Sequence, residues 1–222
     1  MTQALIIGAS GGIGSALATQ LRGQGAHVTT LSRRDDGLDI TDEASITHHL
    51  TPLQGQLFDL IVIATGALEI AGASPEKTIR QISAQALMDQ FAVNAIGPAL
   101  VMKHALPLLP KDRRAVMAAL SARVGSIGDN RLGGWYGYRA AKAALNQMIR
   151  STAIELARSH PQAICLALHP GTVATEFTRK YLGRHPAVPP TEAAQNILRV
   201  IDARTADDSG GFYDWAGTPV PW

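Results

Sequence analysis

Four strand-length runs without any polar–apolar alternation, separated by segments of helix length, constrain this chain more than any other feature. They are "QALIIG" (3–8), "FDLIVIATG" (58–66), "AVMAALS" (115–121) and "AICLALHPG" (163–171). A strand apolar on both sides is buried on both faces, and such strands alternating with helices build a parallel sheet with helices on either side. The β-branched run "AHVTTLS" (26–32) adds a strand, and "GGFYDW" (210–215) reads as a short last one. The expected class is α/β: a single doubly wound, Rossmann-type parallel sheet with helices on both faces, forming one domain over 1–222. Ligands of such a sheet bind beyond the carboxyl ends of its strands.

The helices follow from periodicity. One begins near Gly12, with Ile13, Leu17 and Leu21 at helical spacing. "TDEASITHHL" (41–50) opens with a capping threonine and early acids, which suit the positive end of a helix dipole. A long helical region is predicted from about 76 to 109, another from about 136 to 158, and a last one over "TEAAQNILRVID" (191–202). The proline- and glycine-rich "GRHPAVPP" (183–190) reads as a mobile loop rather than a domain boundary.

Charge and cysteine content exclude several function classes. Formal net charge is +2, and the lysines and arginines are scattered, so there is no electrostatic footprint for nucleic acid. The single cysteine, Cys165, lies in an apolar stretch and reads as a buried small residue. One thiol makes neither an internal disulfide nor a cysteine metal cluster; no metal is expected, and a reducing cytoplasm is the expected compartment. No basic leader precedes the strand near residue 3, and no run approaches the roughly 20 apolar residues needed to cross a bilayer, so no membrane association is expected.

The segment "GASGGIG" joins the first strand to the first helix, with glycines at Gly8, Gly12 and Gly14. A tight turn would explain it. So would a diphosphate lying on bare backbone at a helix amino terminus, with Gly8, Ser10, Gly11, Gly12, Ile13 and Gly14 as its contacts. The second strand ends in "LSRRDD". Where an NAD-binding chain usually places a carboxylate, Ser32 stands here, followed by Arg33 and Arg34, whose forked guanidinium groups match a 2′-phosphate. Asp35 and Asp36 complicate this, because they could neutralise the arginines, and two arginines after a strand also make an ordinary solvated turn. NADP(H) is preferred over NAD(H). In "LDITD", Asp39 and Ile40 are placed to border the adenine, or to cap a loop. Ala64, Thr65 and Gly66 end a strand where small residues would let the cofactor pass.

Tyr138 and Lys142 in "YGYRAAKAAL" are four residues apart and share one face of a helix. An ammonium beside a phenol favours phenolate and lowers its pKa from about 10, which lets the tyrosine trade a proton as hydride moves to or from a carbonyl carbon. Tyr136, whose fourth neighbour is Ala140, lacks that partner.

"GASGGIG", "VNAIGP", "YGYRAAK" and "HPGTVAT", in this order, resemble the short-chain dehydrogenase/reductase family over essentially the whole chain. Within it, "SARVGSIGDN" with "GGWYGYRAAKAALN" and the ending "GGFYDWAGTPVPW" look like the C-factor and sniffer-like carbonyl reductase branch. The resemblance implies Tyr138 as acid/base and Lys142 as the cation that tunes it and binds the nicotinamide ribose. It implies Asn94 as the holder of a water linked to the lysine, and Pro170, Gly171, Val173 and Thr175 as contacts of the nicotinamide carboxamide. Two positions depart from the family pattern. Thr65 replaces the asparagine of the usual "NAG". The family's serine position falls on Ala122, leaving Ser126, twelve residues before Tyr138, as the preferred hydroxyl and Ser121 as the other candidate.

The expected function is an NADP-dependent oxidoreductase that interconverts a ketone or aldehyde and an alcohol. The alternative is a non-catalytic NADP(H)-binding sensor or signalling protein of the same fold. The expected partner is a small carbonyl or alcohol substrate; the family resemblance also implies a second copy of the chain, in a homodimer or tetramer built on the helices near 94–109 and 136–158, whose alanine-rich character allows it.

Overall fold

The computed structural model describes residues 2–182 and 186–222. Its chain runs β1 (Gln3–Ile7), α1 (Gly12–Gly23), β2 (His27–Leu31), α2 (Arg33–Asp36), α3 (Glu43–Leu50) and β3 (Leu60–Ile63). The second half continues with α4 (Ala84–Phe91), α5 (Gly97–Ala105), β4 (Ala115–Leu120), α6 (Tyr136–Ser159), β5 (Ala163–His169), α7 (Pro190–Asp202) and β6 (Phe212–Asp214). The six strands form one parallel sheet in the order β2-β1-β3-β4-β5-β6, which is the doubly wound α/β arrangement the apolar runs predict.

Each central strand sends consecutive apolar side chains to opposite faces, so the sheet needs a helix layer on both. Leu5, Ile7, Ile61, Ile63 and Met117 pack against α3, α5 and α6 through residues such as Ile46, Val101, Met102, Leu145 and Ile149. On the other face Ile6, Val62, Val116 and Leu166 meet Leu17 and Leu21 of α1 and Ile197 and Ile201 of α7. Cys165 lies within the first layer, and burial pushes its thiol up to about 12, so it behaves as the small apolar residue expected.

The direction of winding reverses between β1 and β3. Their following loops therefore diverge and leave a crevice at the carboxyl end of the sheet.

Several element boundaries differ from the sequence expectation, each for a local reason. The helix expected from about 76 begins at Ala84, where the Ser83 hydroxyl caps it by accepting from the Ala86 amide, and residues 64–82 form a loop that contains Pro75 and a single 3-10 turn, Ile79–Gln81. The capping residue of α3 is Asp42, not Thr41: the Asp42 carboxylate accepts from the Ala44 amide, while Thr41 donates twice to Asp39. The helical stretch Ala84–Leu108 is long and apolar enough to cross a membrane by length and composition, which corrects the expectation that no such run exists. It includes the buried Asn94, and Val101, Met102 and Ala105 lie in the core, as expected of an interior helix. Part of the loop expected to be mobile, 183–185, lies outside the described residues.

Candidate active site

At the switch point the glycines of the first turn make an uncapped helix end. Gly8 has φ +90°, and a Cβ there would stand 2.7 Å from the Ala64 carbonyl oxygen. A Cβ on Gly12 would reach within 2.7 Å of Thr175 Cγ2, and one on Gly14 within 2.3 Å of the Gly8 carbonyl oxygen. Helix α1 has Gly11 at its N-cap, which offers no side chain, and no acid in its first turn, whereas α3 and α4 are capped by Asp42 and Ser83. Its first amides are therefore left for an anion, and these contacts fit the diphosphate of a dinucleotide. Ser10 and Ile13 stand in the same turn and first helical residues.

Beyond β2, Ser32 caps the four-residue helix α2. Its amide donates to Asp36 Oδ2 at 2.7 Å, and its hydroxyl also lies within reach of Asp35 and Asp36. Arg34 is paired with Asp35 at 2.8 Å, while Arg33 enters no ion pair among the described residues. The two arginines that the sequence treats alike are thus distinct. Asp39 accepts from the Thr41 amide and hydroxyl and is held below the usual carboxylate range chiefly by that hydroxyl, as a loop-capping residue would be. Ile40 is buried and lies against Gly97 at the start of α5. Thr65 carries a buried hydroxyl without a hydrogen-bond partner, with its methyl group close to Gly8. Among the described residues, no group of three or more His, Cys, Asp or Glu side chains is arranged to hold a metal ion.

Tyr138 and Lys142 project from the first turns of α6, both buried. Lys142 Nζ lies 5.9 Å from the centre of the Tyr138 ring and donates to the Leu120 carbonyl at 2.8 Å. Asn94 sits in a single π-helical turn, Ala92–Ile96, between α4 and α5, a distortion often found at functional sites. It grips the loop after β3 by both ends of its amide: Oδ1 accepts from the Ala67 amide, and Nδ2 donates to the Ala67 carbonyl and to Gln90. A Cβ on Gly66 would lie 3.0 Å from Asn94 Oδ1 and 3.5 Å from Lys142 Nζ, so only glycine lets the chain pass between them.

The expected acidification of the phenol is not found. Burial, rather than the neighbouring amine, dominates: it pushes the Tyr138 hydroxyl well above its ordinary value and pulls Lys142 down to about 7. Taking either charge out of water costs more than their separation over the ring face returns.

The two serines differ in what they have left to donate. Ser121 gives its one proton to Asn146 Oδ1 at 2.6 Å, under α6. Ser126, also buried, accepts from the Asp129 amide at 3.1 Å and keeps its own proton.

After β5, Pro170 and Gly171 turn the chain; Gly171 has φ +79° and lies under the Trp215 indole. Val173 is buried, and Thr175 packs on Gly12, which brings this segment onto the start of α1. A cavity of about 310 Å³ opens between residues 66–69 and 176–181. A larger depression of about 410 Å³ lies at the amino end of the sheet beside Gln3 and His27, away from all these groups.

Sequence reasoning missed Gln90, which fixes both Asn94 and the Leu68 carbonyl, and whose only signal is its place four residues before Asn94. It also missed the buried Glu76, which accepts from the Gly137 amide at the start of α6. His169, at the end of β5, is held neutral by burial, aided by the Arg123 cation and opposed by Asp214, and is pulled down to about 4. An unfolded chain takes up that proton near 6.5, so the unfolded state binds more protons as pH falls from 6.5 to about 4, and stability falls with it. Between pH 7 and pH 5 the loss expected from this group is about 2 kcal/mol. Urea unfolding at both pH values, in the wild type and in His169→Asn, checks this; the variant should lose that much less.

Comparison with known proteins agrees with this geometry. A family model described as short chain dehydrogenase matches residues 2–184. The protein called C-signal of Myxococcus xanthus is 38% identical over 133 residues, spanning 60% of this chain and 76% of the relative. The 1-hydroxy-2-glutathionyl-2-methyl-3-butene dehydrogenase of Rhodococcus sp. (strain AD45) is 29% identical over 234 residues, spanning all of both chains. Among solved structures, a short-chain dehydrogenase/reductase from Burkholderia multivorans with bound NADP superposes with a TM-score of 0.83 at 26% identity, covering 100% of this chain and 99% of its own. The Drosophila melanogaster carbonyl reductase Sniffer shares the fold, with a TM-score of 0.81 at 22% identity and full coverage of both chains. The chain belongs to the short-chain dehydrogenase/reductase family of oxidoreductases.

Proposed function

We propose that this chain, as one domain over 1–222 in the cytoplasm, is an NADP-dependent oxidoreductase that interconverts a ketone or aldehyde and an alcohol. The observation that carries the reading is the convergence of Lys142 and Asn94 on Gly66, with the Tyr138 ring 5.9 Å from the Lys142 amine, at the same sheet end as the uncapped start of α1. Gly8, Ser10, Gly11, Gly12, Ile13 and Gly14 would hold the diphosphate, and Ala64, Thr65 and Gly66 would flank it. Ile40 and Asp39 would border the adenine, while Pro170, Gly171, Val173 and Thr175 would meet the carboxamide. Bound there, the cofactor supplies the hydride for reduction or accepts it in oxidation.

In reduction Tyr138 gives its proton to the oxygen of the forming alcohol. A phenol kept protonated by burial is in the state that donates. Lys142, whose burial lowers its pKa and so makes its proton easier to give up, would hold the ribose and return a proton to the phenolate. Asn94 fixes the loop that borders them. Ser126, with its proton unspent, steadies the substrate oxygen, a role Ser121 gives up to Asn146. A pure sensor needs no such tyrosine. Mixing with NADPH and following cofactor fluorescence, then its absorbance after addition of an aldehyde, separates the two readings: binding without aldehyde-dependent loss of absorbance would leave the sensor.

For cofactor choice, Arg33, unpaired among the described residues, would meet a 2′-phosphate, while Asp36 sits on the Ser32 amide and repels it. Arg33→Ala should weaken NADPH about 10- to 100-fold with little change for NADH, the scale of one charge-assisted phosphate contact. Asp36→Asn should shift the ratio the other way. Dissociation constants from fluorescence titration decide it; equal changes for both cofactors would remove Arg33 from the role.

A further inference from the structure

The chain is poor in aromatic residues, 5% of its length, yet it places several of them side by side at the candidate site. The Trp135 ring lies 6.3 Å from Tyr138 and 5.4 Å from Tyr181, and Phe177 stands 6.3 Å from Tyr138. Phe177 and Tyr181 also line the 310 Å³ cavity, and Phe177 is 40% exposed. An apolar ring kept partly in water beside a buried tyrosine contributes little to the core.

Trp135 is also held in a strained backbone. It precedes α6 at φ 54° and ψ 42°, a left-handed conformation that bulky side chains avoid. The chain enforces it by two contacts from one loop residue: the Trp135 amide donates to the Glu76 carbonyl at 2.5 Å, and the Gly137 amide donates to the Glu76 carboxylate at 3.1 Å. Glycine would reach that conformation without strain, and Gly133 and Gly134, immediately before it, already do. Keeping an indole there fixes its ring next to Tyr138, and strain retained at such a place points to function.

The charges around the cavity are matched among themselves. Glu69 is bound by Lys180 at 2.5 Å and by the Tyr181 hydroxyl, and Glu176 by Arg179 at 2.9 Å. Among the described residues, no surplus charge is left there to receive an ionised group.

We propose that Trp135, Phe177 and Tyr181 form an aromatic recognition wall, and that the substrate of this site is an uncharged carbonyl compound bearing an aryl or similarly flat conjugated group. The proposal rests on the oxidoreductase reading above and names its substrate class. A flat π system stacks or meets these rings edge-on, whereas a saturated ring of the same size gains only area burial.

The test compares kcat/KM for benzaldehyde, cyclohexanecarbaldehyde and 4-carboxybenzaldehyde with NADPH, in the wild type, Trp135→Gly and Phe177→Leu. The expected result is a preference of about tenfold for benzaldehyde over the other two, on the scale of one or two aromatic contacts. In both variants the benzaldehyde to cyclohexanecarbaldehyde ratio should fall towards one. Trp135→Gly should do so without lowering Tm, because it relieves the backbone; a purely structural indole would lower Tm and leave the ratio alone. An absent preference, or a ratio unchanged in both variants, overturns the wall. Turnover of none of the three compounds refutes the oxidoreductase reading instead. The wall is then judged by saturation-transfer NMR with benzyl alcohol against cyclohexylmethanol: a benzyl preference lost in the variants supports it, and equal binding overturns it.

Discussion

Tyr138→Phe is expected to lower kcat by about 10²- to 10⁴-fold, the span attributed to a positioned proton donor, while NADPH affinity stays within about twofold. The phenyl ring keeps its contacts with Trp135 and Phe177 and its place beside Lys142, so the groups that would receive the dinucleotide stay where they are. Only the hydroxyl is lost, and with it the one group through which the proposed mechanism delivers a proton to the substrate oxygen; Ser121 gives its own proton to Asn146. Single-turnover absorbance decay together with a fluorescence titration checks both halves. Near-normal turnover would remove Tyr138 from the chemistry, whereas lost binding would make it a structural residue.

Gly14→Ala is expected to destabilise the protein by about 2–3 kcal/mol, lowering Tm by roughly 4–12 °C, and to weaken NADPH binding by tenfold or more. The added methyl group would lie 2.3 Å from the Gly8 carbonyl oxygen, 2.9 Å from its carbon and 3.0 Å from Ala9 Cα, all backbone atoms with no rotamer to yield. Helix α1 must then back away from the end of β1, taking its first amides with it. Gly23→Ala, in the same helix with nothing within 4 Å, should be neutral or slightly stabilising, which isolates close approach from helix propensity. Thermal denaturation of the pair is decisive: equal effects would mean that the tight packing of the loop is not what Gly14 serves.

The sheet was legible because burial on both faces leaves an uninterrupted apolar run, as in β1, β3, β4 and β5, which no surface strand tolerates. The four-residue spacing of Tyr138 and Lys142 was legible for the same reason: helical geometry is local. Long-range balance was not. Whether a phenol becomes more or less acidic depends on the competition between desolvation and a neighbouring charge, and sequence spacing gives only the second. Likewise Ser121 and Ser126 look alike in the chain, and only the partner 25 residues away, Asn146, separates them. Trp135 and Glu76 escaped notice because a strained φ and a buried carboxylate on an amide leave no periodic mark.

The π-helical turn at Ala92–Ile96 has a consequence for how this protein can change. One added residue rotates everything on its amino side by about 100° relative to a regular helix. That phase lets Leu87 and Gln90 meet Gly137 while Val101, Met102 and Ala105 still face the sheet. Shortening the chain there by a single residue would disengage one end or the other, so the bulge can be inherited or lost only together with the packing on both of its sides.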